Sequence, residues 1–134
     1  MAQQLNPYIT FPGNCAEAMT FYGEVLGGEP QLATFRDSGM DMDGIMHASL
    51  DTDAGFHLFA CDHVDGMGDY DHGTNVQISL SGDHAEALHG YWAGLSEGGQ
   101  VIIPLQEQMW GDEYGQLVDR SGIIWHVNIA GDAP

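Results

Sequence analysis

The chain has 134 residues, of which 20 are Asp or Glu and only 2 are Lys or Arg, so its formal net charge is −18. Nucleic acids and anionic membrane surfaces bind proteins through basic patches, and Arg36 and Arg120 cannot supply one. Hydrophobic residues make up 43% of the chain, which is enough for a packed core despite the charge. We therefore predict one folded domain, residues 1–134, that binds neither nucleic acid nor membrane.

The sequence also predicts a cytoplasmic location. It contains no apolar run long enough to span a membrane, and its first twelve residues do not resemble a secretion signal. Cys15 and Cys61 are the only cysteines, which is too few for a disulfide framework or a cysteine-based zinc site.

The first half of the chain predicts a strand, a helix and three further strands. An alternating strand, Tyr8–Phe11, precedes Asn14-x-x-Glu17, which has the spacing of a capping box at a helix start. Gly27-Gly28 would end that helix. The remaining strands are predicted at residues 31–36, at residues 45–50 and around Phe56-His57-Leu58.

The second half repeats this order at an offset of 69 residues. Residues 77–80 alternate like the first strand, and Asp83-x-x-Glu86 repeats the capping box. The later strands are predicted at residues 101–106, at residues 116–119 and around Trp125-His126-Val127. Module one would cover about residues 5–62, a linker about 63–72 and module two about 73–130.

This repeat predicts an α+β fold of two tandem βαβββ modules, whose curved sheets form a cleft. A helix covers one face of each sheet, so alternate residues of a strand face the helix and the others face away. The predicted helix-facing set is Ile9, Phe11, Met46, Ala48, Leu50, Phe56, Leu58 and Ala60. The predicted open-face set is Tyr8, Thr10, His47, Ser49, His57, Phe59, Cys61, Asn75, Gln77, Ser79, His126 and Asn128.

Four of the open-face residues form two pairs related by the repeat, and together they could bind a metal. Tyr8 corresponds to Gln77, and His57 corresponds to His126. Two imidazoles with an amide or phenol oxygen can hold a divalent cation of unknown identity that polarises a substrate oxygen. The alternative is a set of hydrogen-bonded residues in a metal-free site.

Other residues near the predicted cleft could transfer protons or bind a ligand. His47 and Glu107 are candidate catalytic residues, because histidine and carboxylate side chains act as general acids or bases. Phe59 and Trp110 are candidate ligand-binding residues. The acidic composition favours a cationic ligand over an anionic one. These residues suit a metal-assisted enzyme acting on an oxygen-bearing substrate, or a metal-free protein that sequesters a small molecule.

Several segments resemble the vicinal oxygen chelate superfamily, which includes glyoxalase I, bleomycin-resistance proteins and extradiol dioxygenases. The resemblance is nearest to its PhnB-like branch, often labelled 3-demethylubiquinone methyltransferase-like. The segments are Asn6–Phe11, Gly13–Ala18, Phe21-Tyr22, Val25–Gly28, Met46–Ala48, Trp110-Gly111, Tyr114-Gly115 and Val118–Gly122 with Trp125. They are spread over nearly the whole chain.

The resemblance implies the paired-module fold, a small-molecule ligand and a homodimer. Metal-using members take their ligands from the first and last strands of each module, which implies Tyr8, His57, Gln77 and His126 here. Three positions depart from the common pattern, with Tyr8 where histidine is usual and His57 and His126 where glutamate is usual.

Overall fold

A computed structural model describes residues 3–66 and 68–131, and the chain divides into two units, residues 1–72 and 73–134. Unit one contains β1 (Tyr8–Phe11), α1 (Cys15–Leu26), β2 (Gln31–Thr34), a 3-10 turn (Arg36–Ser38), β3 (Ile45–Asp51) and β4 (His57–Asp62). Unit two contains β5 (Ile78–Gly82), α2 (Ala85–Ser96), β6 (Gln100–Glu107), β7 (Glu113–Val118) and β8 (Ile124–Ile129). The predicted α+β class with two βαβββ modules is confirmed, whereas their union in one domain stays a prediction.

Each unit folds into a four-stranded mixed sheet with the same strand order. The order is β1-β4-β3-β2 in unit one and β5-β8-β7-β6 in unit two. In each sheet the first and last strands of the module run parallel and the other pairs are antiparallel. Helix α1 packs on β3 and β4, and α2 packs on all four strands of its own sheet. The buried side chains alternate along the strands, so the predicted faces are largely correct.

The two units pair their first and last strands in different registers. Tyr8 lies opposite Phe59 in unit one, 51 residues further along the chain, and Ser79 lies opposite His126 in unit two, 47 residues further along. The sequence offset of 69 therefore does not match both strands of each pair, because the registers differ by four residues. Parallel strands can slide by an even number of residues and keep every side chain on its face, whereas a slip of one would reverse them. This is why the predicted faces agree although the registers differ, and the pairing of His57 with His126 stays a prediction.

Neither predicted capping box forms. The side chain of Asn14 makes no cap, and the backbone N–H of Cys15 donates instead to the Asp62 carboxylate at 2.9 Å. The other oxygen of Asp62 accepts from the N–H of Ile45 at 2.9 Å, so one buried carboxylate joins the starts of α1 and β3 to the end of β4. In unit two the N-cap residue is His84, one residue after the predicted Asp83. Nδ1 of His84 accepts a hydrogen bond from the N–H of Ala87 at 3.2 Å.

A bulge corrects the predicted faces at the start of β3. Ala33 pairs with His47 but Thr34 pairs with Ile45, which leaves Met46 as an extra residue in β3. Ile45 is consequently buried, and Met46, predicted to face the helix, is 36% exposed. Strand β7 also begins at Glu113, three residues before the predicted start.

Among the described residues, α1 and α2 are each 12 residues long, and no helix is both long and apolar enough to span a membrane. The cytoplasmic location stays a prediction.

A glycine in β7 allows α2 to pack closely on its sheet. A Cβ atom at Gly115 would lie 2.6 Å from the ring of Trp92 and 2.9 Å from the Cα of Leu105. Both distances are shorter than van der Waals contact, and the second involves backbone that cannot rotate away. The large Trp92 side chain therefore occupies the space that any other residue would need at position 115.

We predict that Gly115→Ala lowers the free energy of unfolding by about 1–3 kcal/mol, because the added methyl group overpacks this contact. Gly90→Ala is the matched control, since a Cβ at this glycine of α2 would have no neighbour within 4 Å. The control should raise stability, as alanine favours helix over glycine by about 0.5–1 kcal/mol. Urea unfolding of both variants measures the difference. Equal stability of Gly115→Ala and wild type would contradict the packing described.

Candidate functional site

The open face of unit one carries a cluster of three rings. The ring centroids lie 5.9 Å apart for Tyr8 and His47, 6.3 Å for Tyr8 and Phe59, and 5.4 Å for His47 and Phe59. The Tyr8 hydroxyl also lies 3.3 Å from Nδ1 of His47. Three strands supply one residue each, and alternation directs all three away from α1. The structure thus brings together three predicted site residues. His47 was predicted to be catalytic, Phe59 to bind a ligand and Tyr8 to bind a metal.

The Tyr8 hydroxyl is suited to donate a hydrogen bond. Partial burial raises its pKa above the ordinary value, and the neighbouring thiol of Cys61 adds to that effect. A raised pKa keeps the proton on the phenol, which disfavours the phenolate that a metal would prefer. The role of hydrogen-bond donor therefore fits Tyr8 better than the predicted role of metal ligand.

His57 is held by a carboxylate from the neighbouring strand. Its Nδ1 lies 2.5 Å from Oδ1 of Asp51, the residue directly opposite in the register of β3 and β4. An ionised carboxylate only accepts hydrogen bonds, so Nδ1 carries the proton and Nε2 of the neutral ring keeps its lone pair. Among the described residues, no group binds Nε2. A histidine whose Nδ1–H donates to a carboxylate is typical of metal ligands.

Unit two brings together two of the predicted metal donors. Nε2 of His126 is hydrogen-bonded to Oε1 of Gln77, which lies just before β5. The amide NH₂ of Gln77 donates to the carbonyl oxygen of Thr74 at 2.9 Å. That bond fixes which end of the amide faces the histidine, since a carbonyl can only accept. The oxygen of Gln77 and a nitrogen of His126 therefore converge on one point.

The other nitrogen of His126 contacts a tyrosine that the sequence analysis did not select. The Tyr114 hydroxyl lies 2.6 Å from Nδ1 of His126, and the two rings stack with centroids 5.8 Å apart and planes 26° from parallel. Tyr114 is the second residue of β7, on the same face as His126. The hydrogen bond and the stacking together hold the imidazole in one orientation.

Two of the predicted site residues lie outside these clusters. Glu107 is the last residue of β6 and lies opposite Glu113, whose carboxylate contacts His89 of α2. Cross-strand neighbours share a face, so Glu107 is directed to the helix side of the sheet and not to the face of His126. Trp110 lies in the turn between β6 and β7 and is 59% exposed.

The chemistry of three of the four predicted metal donors fits a divalent cation. His57 presents a nitrogen lone pair, while His126 and Gln77 point a nitrogen and an oxygen at each other. Within residues 3–66 and 68–131, no three His, Cys, Asp or Glu side chains gather closely enough to hold one ion. The proposed set contains only two residues of those types, because Gln77 and Tyr8 supply its other donors.

Asp51 and Tyr114 are the residues that the sequence analysis missed. Asp51 follows the predicted strand at residues 45–50, so it was grouped with the acidic residues of the loops. No sequence pattern distinguished its carboxylate from theirs. The predicted strand began at Gln116 and did not reach Tyr114. Extending the alternation back by two residues would have placed Tyr114 beside Gln116 on the open face.

Comparisons with known proteins identify relatives over the whole chain. The family model of the Glyoxalase/Bleomycin resistance protein/Dioxygenase superfamily matches residues 4–127. The structure of protein PA1353 from Pseudomonas aeruginosa is similar, with 35% sequence identity, a TM-score of 0.86 and coverage of 98% of this chain and 100% of that one. Protein YjdN of Escherichia coli is 27% identical, and the match covers 97% of each chain.

A PhnB protein from Bacillus cereus, described as a 3-demethylubiquinone-9 3-methyltransferase, shares the fold. Its identity to this chain is 18%, its TM-score is 0.74, and the match covers 96% of this chain and 100% of that one.

Proposed function

Because the chain belongs to the glyoxalase/bleomycin resistance/dioxygenase superfamily, we propose that it binds a divalent metal and acts on a small oxygen-bearing molecule. The candidate metal donors are Nε2 of His57 in unit one and, in unit two, Nε2 of His126 with Oε1 of Gln77. The observation that carries the proposal is that Nδ1 of each histidine is held, by Asp51 in one unit and by Tyr114 in the other. Both Nε2 atoms are thereby directed away from their anchoring groups.

The remaining residues of the open face have separate roles in this proposal. A bound divalent cation would act as a Lewis acid toward a substrate oxygen. The Tyr8 hydroxyl, which keeps its proton, donates a hydrogen bond to the substrate. His47 exchanges a proton with the substrate as general acid or base. Its ring is held through the contact between Nδ1 and the Tyr8 hydroxyl. Phe59 supplies an apolar surface beside both residues.

We expect Zn²⁺ to bind the metal-free protein, purified without a polyhistidine tag. His126→Ala should greatly reduce the affinity, since it removes the imidazole donor beside Gln77, and His57→Ala tests the candidate donor of unit one. His63→Ala is the matched control, because His63 follows β4 and its Nε2 bonds to the carbonyl of Gly68. Isothermal titration calorimetry measures all four proteins. Absence of zinc binding to the wild type would contradict the proposal. So would a zinc affinity in both ligand variants that equals the affinity of the wild type.

A second candidate function, metal-free binding of a small aromatic cation, is favoured by the ring cluster of unit one. Tyr8 is 53% exposed at the edge of the cluster, so its ring face is accessible to a ligand. The net charge of −18 attracts cations to the protein. A planar cation could stack on Tyr8 and Phe59 without any metal.

If this second function is correct, proflavine, a planar aromatic cation, should bind with saturation and without turnover. Tyr8→Ala should then weaken its binding about 3–30-fold, the range expected for one cation–π contact. Tyr70→Ala is the control, since Tyr70 is also partly exposed but its ring contacts that of His63, outside the cluster, at a tilt of 59°. Fluorescence titration compares the two variants. Equal loss in both would indicate nonspecific attraction to the acidic surface and would exclude this function.

A further inference from the structure

The hydrogen bonds of His126 indicate which of its ring nitrogens carries the proton. The oxygen of Gln77 only accepts hydrogen bonds, so Nε2 of His126 must carry a proton to bond with it. Nδ1 of the neutral ring then has the lone pair, and it accepts the O–H of Tyr114 at 2.6 Å. In this tautomer each donor meets an acceptor: Gln77 donates to Thr74, His126 donates to Gln77, and Tyr114 donates to His126.

Metal binding at Nε2 requires the opposite tautomer. A histidine nitrogen binds a metal only through its lone pair, so the Nε2 proton must leave. The neutral ring keeps one proton, which then resides on Nδ1, and the net charge of the imidazole does not change. Nδ1–H must find an acceptor, and Gln77 is released from its bond to Nε2.

Of the two hydrogen-bond partners that His126 has among the described residues, Tyr114 suits both tautomers. A tyrosine hydroxyl both donates and accepts hydrogen bonds, so it can bond to Nδ1 with or without a proton there. The tyrosine lies opposite Asn128, and the Asn128 amide donates to Asp112 at 3.0 Å. Tyr114 also stacks on the imidazole, so its position need not change when the proton does.

We propose that Tyr114 is a positioning residue that holds His126 in both tautomers and so lets Nε2 exchange its bond to Gln77 for a metal. This inference rests on the proposed metal-binding function. It assigns to Tyr114 a hydroxyl-dependent role that a residue needed only for packing would not have, because phenylalanine keeps the ring and loses the hydroxyl.

The test measures tautomers and zinc affinity separately. Nitrogen-15 NMR of the ring atoms should show His126 protonated at Nε2 in the metal-free wild type and at Nδ1 after Zn²⁺ is added. Tyr114→Phe should keep the first tautomer, which Gln77 stabilises, but should bind Zn²⁺ about 10–100-fold more weakly. Tyr91→Phe removes a hydroxyl from α2, on the other side of the sheet, and should leave the zinc affinity unchanged.

Each outcome decides between the inference and the function on which it rests. Unchanged zinc affinity in Tyr114→Phe, or a metal-free wild type protonated at Nδ1, overturns the role of Tyr114 and leaves the metal site standing. A wild type that binds no Zn²⁺ overturns the proposed function and this inference with it. The tautomer measurement on wild type needs no variant, so it decides the question even if Tyr114→Phe does not fold.

Discussion

Each four-stranded sheet of this protein packs its own helix against one face, and this constraint determines where chemistry is possible. Residues on the helix side, such as Leu50, Leu58 and Trp125, are buried and build the core. The alternate residues are left only partly buried, and they include His47, His57 and His126. Packing and function therefore use different residues of the same strands, and a mutation on one face need not disturb the other.

Hydrogen bonds between neighbouring strands then give the open faces their chemical character. Asp51 and His57 are direct cross-strand partners, and so the register of β3 and β4 decides which nitrogen of His57 is available. In unit two, Tyr114 and Gln77 contact the two nitrogens of His126 from opposite sides. The large excess of acid contributes little to these contacts, since Asp51 is the only carboxylate in them.

The sequence predicted the fold and the faces of the strands well, because both depend on patterns with a short period. Alternation placed Tyr8, His47 and Phe59 on one face, and the structure brings their rings together. The offset of 69 did not predict the registers of the parallel strands, which differ by four residues between the units, since an even slide leaves no trace in the alternation. Met46 was misplaced because a bulge depends on the partner strand, which no local pattern reveals. Tyr114 was missed because the predicted strand began too late, at Gln116.

We propose that imidazole nitrogen, and no thiolate, binds the metal. X-ray absorption spectroscopy of the zinc-loaded protein distinguishes these donors, since it counts imidazole ligands and detects sulfur. We expect an imidazole nitrogen at about 2.0–2.1 Å from the zinc, and the imidazole signal should fall in His126→Ala. A shell with a sulfur ligand at about 2.3 Å, or with no imidazole at all, would overturn this proposal.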